Sequence, residues 1–142
     1  RASAAVVRQK LGADVVQTKA SRGDLLTAVD VEVEKIIQSY VTDAFPTHGF
    51  LGEESVASGA KASSAAIAAA MESADSEWLW ICDPIDGTTN FVQSLPLVGI
   101  SIGVARRRPA DGTWELACGA IVDPFRDEIF SAVAGQGAQL NG

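Results

Sequence analysis

The chain has 142 residues, which is enough for one domain and short for two. Its formal net charge of −7 argues against a nucleic-acid partner, because a basic surface supplies most of the affinity for nucleic acids. No apolar run approaches the roughly 18 residues that a membrane span requires, and no signal peptide opens the chain. We therefore expect a cytoplasmic protein with no membrane partner, in which Cys82 and Cys118 are buried, reduced thiols.

Helical periodicity appears twice in the first third of the chain. Residues 3–17 carry spaced apolar side chains and predict a short amphipathic helix, whereas residues 19–23 predict a loop. Apolar residues then recur at steps of three and four over residues 29–45, which predicts a second helix. Thr27 is the predicted N-cap of this helix, and Pro46 ends it because proline cannot continue a helix.

The rest of the sequence combines one exposed helix with several strands. Residues 63–74 are rich in alanine and serine and have no strong apolar face, which predicts an exposed helix. Short apolar runs bounded by turns predict strands at residues 50–51, 77–82, 97–106, 114–122 and 128–134. Consecutive strands with short turns favour a largely antiparallel sheet with the earlier helices packed on one face, so the predicted fold class is α+β.

Acidic residues follow two of these strands. Glu53 and Glu54 come after the first strand, and Asp83 and Asp86 come after the second. Two carboxylates three residues apart converge on one point if the turn between them is tight, and the proline between them stiffens that turn. Hard oxygen ligands of this kind suit Mg²⁺, and the backbone carbonyl of Ile85 lies between the two aspartates. The pattern therefore predicts a magnesium site.

The residues directly after Asp86 suggest phosphate chemistry. Gly87 lets a phosphate approach the backbone, and N–H groups that open a helix bind anions. The hydroxyl of Thr88 can orient a water molecule. Such an arrangement fits a two-metal scheme, in which cations roughly 4 Å apart activate water and neutralise the leaving oxygen.

Each of these features also has an ordinary structural interpretation. A D-x-x-D pattern more often caps a helix or faces solvent, and paired glutamates after a strand usually lie in a solvated loop. Thr27 and Asp30 alone indicate helix capping. Asp123 and Asp127, which lie around a predicted turn between strands, are expected to be solvated.

Four longer motifs favour the chemical interpretation. Residues 83–91 read Asp-Pro-Ile-Asp-Gly-Thr-Thr-Asn-Phe and resemble the signature of the inositol monophosphatase family. Residues 23–30 resemble the family's D-L-V-T-x-x-D segment, and residues 52–55 resemble its G-E-E-S motif. Residues 135–142 resemble its G-x-G-A-x-x-N-G motif. Because the four motifs stand in the family's order, the chain is identified as a member of that family by resemblance.

The resemblance implies a role for each candidate residue. The metal ligands are three carboxylates and one backbone carbonyl, from Glu53, Asp83, Ile85 and Asp86. The phosphate-binding residues are Gly87 and Thr88. The catalytic groups, which activate the attacking water, are Asp30 and Thr88 together with Glu53. The residues that support the metal ligands without binding the metal themselves are Glu54 and Lys19.

The implied reaction is magnesium-dependent hydrolysis of inositol monophosphate to inositol and phosphate by metal-activated water, without a phosphoenzyme. Members of the family use two or three Mg²⁺ ions, are inhibited by lithium and usually form homodimers, and we expect the same of the complete protein. Two alternatives stay open. One is a phosphatase of another small phosphomonoester, such as a sugar phosphate, histidinol phosphate or nucleotide 3′-phosphate. The other is a non-catalytic metal-binding or interaction module.

Two features depart from the family pattern. Glu53 and Asp83 are 30 positions apart, longer than expected, and an inserted surface helix in the alanine-rich stretch accounts for the difference. Family enzymes are about twice as long, and their C-terminal half carries a W-D-x-A-A-G motif that this sequence lacks. We therefore expect residues 1–142 to form an N-terminal metal-binding domain without its C-terminal α/β domain, and to be weakly active or inactive alone.

Overall fold

Short strands and four helices make up the computed structural model, which describes residues 1–11, 15–18, 25–56 and 60–142. The helices are α1 (Ala2–Gln9), α2 (Ala28–Ala44), α3 (Ala60–Ser73) and α4 (Thr88–Val92), with a 3₁₀ turn at Glu53–Ser55. The first strands are β1 (Val15–Thr18), β2 (Leu25–Thr27), β3 (Gly49–Gly52) and β4 (Trp78–Asp86). The later strands are β5 (Gly99–Arg107), β6 (Trp114–Asp123), β7 (Glu128–Val133) and β8 (Gly137–Leu140).

Six of these strands form one sheet in the order β3-β4-β5-β6-β7-β8, and β1 and β2 pair separately as an antiparallel ribbon. All neighbours in the main sheet are antiparallel except β3 and β4, which run parallel from Gly49 opposite Leu79 to Gly52 opposite Cys82. The predicted α+β class with a largely antiparallel sheet is confirmed. The single parallel pair matters for the candidate site, because its two strands run towards the same end of the sheet.

The core lies between the sheet and the two helices α1 and α2. Helix α2 turns one apolar stripe inward, and the residues of that stripe recur at steps of four. The most deeply buried apolar side chains of this core are Val7, Val33, Cys82, Ile85 and Phe91. Because Cys82, Ile85 and Phe91 lie on or next to β4 and α4, the same packing that stabilises the fold also fixes the end of β4.

The first predicted helix is wrong in its second half. Helix α1 ends at Gln9, and β1 begins at Val15, where the prediction continued the helix to residue 17. Gly12 weakens a helix, and the β-branched pair Val15–Val16 favours a strand that pairs with β2. Helix α2 agrees with its prediction, and the loop predicted at residues 19–23 lies outside the described residues.

The remaining predictions hold with small changes. Helix α3 matches the predicted exposed helix, and none of residues 61–73 is fully buried. Strand β8 is an addition that the sequence reading did not predict. Cys82 is buried and unpaired as expected, but Cys118 is only half-buried. No helix among the described residues is both long and apolar enough to cross a membrane.

Candidate active site

The parallel ends of β3 and β4 bring two of the predicted metal ligands together. Gly52 pairs with Cys82 at the last rung of the β3–β4 ladder, so Glu53 and Asp83 are the next residues of the two neighbouring segments. Asp83 itself continues β4 opposite Ser101 of β5. Their carboxyl groups lie within hydrogen-bond reach of each other. Two carboxylates at this distance repel when both are ionised, and a cation between or beside them relieves that repulsion.

The electrostatics of this edge are dominated by burial and negative charge. Burial raises the pKa of Asp83 well above its ordinary value, and the charge and hydrogen bond of Glu53, followed by the charge of Asp86, raise it further. The Ile85 N–H, which donates to Asp83 Oδ1 at 3.1 Å, lowers it in part. Burial, then the charges of nearby carboxylates, raises the pKa of the Cys82 thiol to about 12. The edge therefore favours binding of a positive charge.

The segment between Asp83 and Asp86 departs from regular strand pairing and is fixed by burial and by a hydrogen bond from Thr88. The regular pairing with β5 breaks between these two residues, and Ile85 in the gap is 1 % exposed. The Thr88 hydroxyl donates to the Ile85 carbonyl oxygen at 2.9 Å, which fixes the side chain of Thr88 next to the predicted metal ligands. A carbonyl oxygen has two lone pairs, so this bond leaves one acceptor position on Ile85 for a cation.

Gly87 connects β4 to the short helix α4 in a backbone conformation that favours glycine. Its φ is +93°, and a Cβ at this position would lie 3.0 Å from the Leu97 carbonyl oxygen. Asn90 donates its side-chain amide to the same carbonyl at 2.9 Å, and Phe91 anchors the helix in the core with no exposed surface. The backbone at Gly87 is therefore both rigid and free of a side chain, as a phosphate-binding backbone requires.

Helix α2 contributes two buried carboxylates one turn apart. Asp30 is 2 % exposed and Glu34 is 7 % exposed. Glu34 accepts a hydrogen bond from the Glu54 N–H at 2.8 Å on Oε2, and one from the Ser55 hydroxyl at 3.2 Å on Oε1. Sequence reasoning missed Glu34. A signal was available, because Glu34 stands one turn after Asp30 and next to the buried Val33 of the apolar stripe.

The structure assembles part of the predicted ligand set. Glu53 and Asp83 come together with the Ile85 carbonyl on the same segment, whereas the Asp86 side chain is exposed and acts on Asp83 through its charge. Across residues 1–11, 15–18, 25–56 and 60–142, no three side chains among His, Cys, Asp and Glu are arranged to hold a metal ion by themselves. The donor set still suits a hard divalent cation, because paired carboxylates and a carbonyl are the oxygen ligands that Mg²⁺ prefers.

The predicted catalytic and supporting residues are placed as follows. The Thr88 hydroxyl donates to the Ile85 carbonyl, and Asp30 is buried on α2, so the predicted Thr88–Asp30 pair stays a prediction. Glu54 is half-buried directly after Glu53, and its N–H is taken up by Glu34. Lys19 lies outside the described residues.

The carboxylate pair and the carbonyl offer oxygen ligands for a divalent cation, and the bare backbone at Gly87 offers a place for an anion. The sequence pattern of the inositol monophosphatase family matches residues 1–142. The chain therefore belongs to the inositol monophosphatase family.

Individual relatives agree with this assignment. The chain is 38 % identical over 127 residues to inositol monophosphatase 1 of Rattus norvegicus, covering 89 % of this chain and 40 % of that protein. It is 39 % identical over 124 residues to the Nus factor SuhB of Vibrio cholerae, covering 87 % of this chain and 39 % of that protein. The chain thus spans less than half the length of these relatives.

Solved structures show the same fold. An IMPase of Thermotoga maritima superposes with a TM-score of 0.75 at 27 % identity, covering 99 % of this chain and 47 % of that one. An IMPase/NADP phosphatase complexed with NADP and Ca²⁺ superposes with a TM-score of 0.71 at 28 % identity, covering 98 % and 46 %. A staphylococcal inositol monophosphatase in a lithium chloride inhibitory complex gives 0.72 at 29 % identity, with the same coverage.

Proposed function

We propose that this chain forms the metal-binding part of a magnesium-dependent phosphatase that hydrolyses inositol monophosphate. The observation that carries the proposal is the Glu53–Asp83 carboxyl pair, which the parallel ends of β3 and β4 hold within hydrogen-bond reach. Glu53 is exposed and Asp83 is half-buried, and burial together with the charges of Glu53 and Asp86 raises the pKa of Asp83. A cation bound beside the pair would favour the ionised form of both carboxyl groups, which supports a metal-binding role.

The cation would be held by oxygen atoms of two adjacent segments, which are Glu53, Asp83, the Ile85 carbonyl and Asp86. Magnesium bound there supplies positive charge that attracts and polarises the phosphate group of the substrate. Glu54 supports Glu53 from the neighbouring position, and Lys19 belongs to the same proposed set. Membership of the family and the neighbours with bound Ca²⁺ or Li⁺ support a metal-dependent reaction.

The chain's own groups then divide the remaining work. The bare backbone at Gly87 lets the phosphate approach, and the Thr88 hydroxyl lies one hydrogen bond from the Ile85 carbonyl. Thr88 and Asp30, which is buried on α2, are the proposed groups that would take the proton of the attacking water. Glu53 would orient the same water.

The remaining parts of the proposal concern the complete protein. The chain spans 40 % of the rat relative, so the residues that recognise the inositol ring are proposed to lie in a C-terminal α/β domain outside residues 1–142. Homodimer formation, lithium inhibition and a cytoplasmic location belong to the same proposal.

Two rival functions have specific support. The neighbour complexed with NADP favours a phosphatase of other phosphomonoesters, including nucleotides. The SuhB relative is named as a Nus factor and is as similar to this chain as the rat enzyme is, which favours a non-catalytic interaction module.

The test is phosphate release from inositol 1-phosphate with and without Mg²⁺, by this chain and by the longest natural protein that contains it. We expect magnesium-dependent release by the natural protein, at least about 100-fold less by this chain, and loss of activity in Asp86→Asn. Faster release from NADP or a sugar phosphate would favour the first rival. Magnesium binding without hydrolysis of any phosphomonoester would favour the second.

A further inference from the structure

The ladder that aligns β3 with β4 stops one residue before Glu53. Gly52 opposite Cys82 is its last rung, so strand pairing does not hold the backbone of Glu53. A short 3₁₀ turn follows, closed by a bond from the Val56 N–H to the Glu53 carbonyl at 3.0 Å. Three-residue turns of this kind are weak by themselves. Something else must fix the position of Glu53 relative to Asp83.

The Glu34 carboxylate contacts the chain on both sides of Glu53. It accepts the Glu54 N–H at 2.8 Å and the Ser55 hydroxyl at 3.2 Å. On the other side it lies directly against Gly52, where a Cβ would fall 2.1 Å from the Glu34 carboxyl carbon. Because Glu34 is on the rigid 17-residue helix α2, its carboxylate connects the helix to the turn.

Glycine at residue 52 leaves the space that the Glu34 carboxylate occupies. Its φ of −100° and ψ of 151° are extended backbone that any residue adopts, so conformation does not require glycine here. The atoms within 2.5 Å of an added Cβ all belong to the Glu34 carboxyl group. A side chain at residue 52 would therefore displace the carboxylate rather than strain the strand.

We infer that Glu34 is a positioning residue, whose carboxylate holds the 3₁₀ turn so that Glu53 faces Asp83 and can bind the cation. The inference rests on the proposed metal site and adds to it a residue that does not touch the metal. The Glu34 carboxylate on α2 accepts the Glu54 N–H and so fixes the backbone directly after Glu53. The missing side chain at Gly52 leaves room for that carboxylate.

Two variants remove this contact from opposite sides. Glu34→Met keeps the length of the side chain and removes its hydrogen-bond acceptors. Gly52→Ala displaces the carboxylate, because the three atoms nearest an added Cβ are those of the Glu34 carboxyl group. We use Mn²⁺ in place of Mg²⁺ as the probe of the proposed site. Either change is expected to weaken Mn²⁺ binding by about tenfold, as loss of a supporting hydrogen bond typically does.

Three matched variants serve as controls. Glu34→Gln still accepts the Glu54 N–H and can donate to the Ser55 oxygen, so it should restore affinity to within about threefold. Glu32→Gln removes an exposed charge from the same helix, and Gly49→Ala makes the same methyl substitution on the same strand away from Glu34. Both should bind Mn²⁺ within about twofold of the unaltered chain.

The measurement is a Mn²⁺ titration followed by the electron paramagnetic resonance signal of the free ion, with thermal unfolding to verify the fold. Folded Glu34→Met or Gly52→Ala protein with unaltered Mn²⁺ affinity overturns the inference. If Glu34→Met does not fold, Gly52→Ala decides. If the unaltered chain binds no Mn²⁺, both the proposed metal site and this inference are overturned. If the unaltered chain binds Mn²⁺ and the folded variants bind it equally well, only this inference is overturned and the proposed function stands.

Discussion

Two Asp-Pro segments of this sheet begin alike and differ in their electrostatics. The Asp83 segment (residues 83–87) ends β4, and the Asp123 segment (residues 123–127) ends β6. In both, the proline is buried and the first aspartate accepts the N–H two residues later, at 3.1 Å in one and 2.8 Å in the other. Both also end on a residue with positive φ, +93° at Gly87 and +54° at Asp127.

The fourth residue and the neighbouring strand separate them. The Asp83 segment has Asp86 at its fourth position and Glu53 beside it, and the pKa of Asp83 is raised. The Asp123 segment has Arg126, which donates to Asp123 through its backbone and its side chain. Burial alone would raise the pKa of Asp123, but the hydrogen bonds of Arg126 and Phe125 lower it. The shared local motif thus gives an aspartate with a raised pKa, at the proposed cation site, in one place and a neutralised turn in the other.

The largest expected difference between the two segments concerns metal binding. Asp83→Asn should weaken Mn²⁺ binding at least about 100-fold, because loss of a direct carboxylate ligand exceeds the loss of a supporting group. Asp123→Asn should leave the affinity within about twofold, because Arg126 already neutralises that carboxylate. Isothermal titration of both variants measures the difference. Equal losses in the two variants would mean that binding follows the general negative charge of the surface.

The positive φ at the end of each segment gives the next largest difference. Gly87→Ala should reduce the free energy of unfolding by about 2 to 3 kcal/mol, because a left-handed backbone costs a side chain 1–2 kcal/mol and the Leu97 carbonyl adds crowding. Asp127→Gly should raise it by up to about 1 kcal/mol, because glycine removes the same strain. Urea unfolding at constant pH measures both. A neutral Gly87→Ala would show that the turn relaxes without cost.

The smallest expected difference concerns the stability of the metal-free chain, which substitution of Asp83 and of Asp123 should change in opposite directions. The ionised form of Asp83 opposes folding, so stability should fall as pH rises from the ordinary aspartate value of 3.8 towards the raised value of about 8. At pH 8 in EDTA, Asp83→Asn should therefore be more stable than the unaltered chain, by about 1 to 2 kcal/mol after solvent screening.

The same substitution at Asp123 should act in the opposite direction. The folded pKa of Asp123 is lowered, so its ionised form favours folding above the unfolded pKa, and Asp123→Asn should destabilise the chain at pH 8. Thermal unfolding of both variants at pH 5 and pH 8 provides the comparison. A stabilised Asp123→Asn, or a destabilised Asp83→Asn, would contradict the assigned electrostatics.

Local sequence predicted the elements whose signals are local. Helix α2 followed from apolar spacing, and the main strands followed from short apolar runs between turns. The second half of the first predicted helix was wrong because pairing of β1 with β2, a contact between separate segments, outweighed the helical spacing of Val15 and Val16. Strand β8 was missed for a related reason, since Gly137–Leu140 becomes a strand by pairing with β7.

In the candidate site too, residues in local motifs were predicted from the sequence, whereas contacts between distant segments were not. Motif resemblance nominated Glu53 and Asp83, and the parallel β3–β4 pair that brings them together was not predicted. Glu34 was missed because its partners, Glu54 and Ser55, are 20 and 21 residues away, in the 3₁₀ turn that follows β3. Asp123 was expected to be solvated, but it is half-buried and accepts the backbone N–H groups of Phe125 and Arg126 in its own turn. The Arg126 side chain adds a third bond to it.

The most direct test of the central claim is to map where Mn²⁺ binds this chain. Substoichiometric Mn²⁺ broadens backbone amide signals in nuclear magnetic resonance spectra around each ion. We predict that broadening is centred on residues 52–55 and 83–88, and that signals of residues 123–128 stay sharp. Broadening centred on the Asp123 segment, or spread evenly over the acidic surface, would contradict the assignment of the cation site to Glu53 and Asp83.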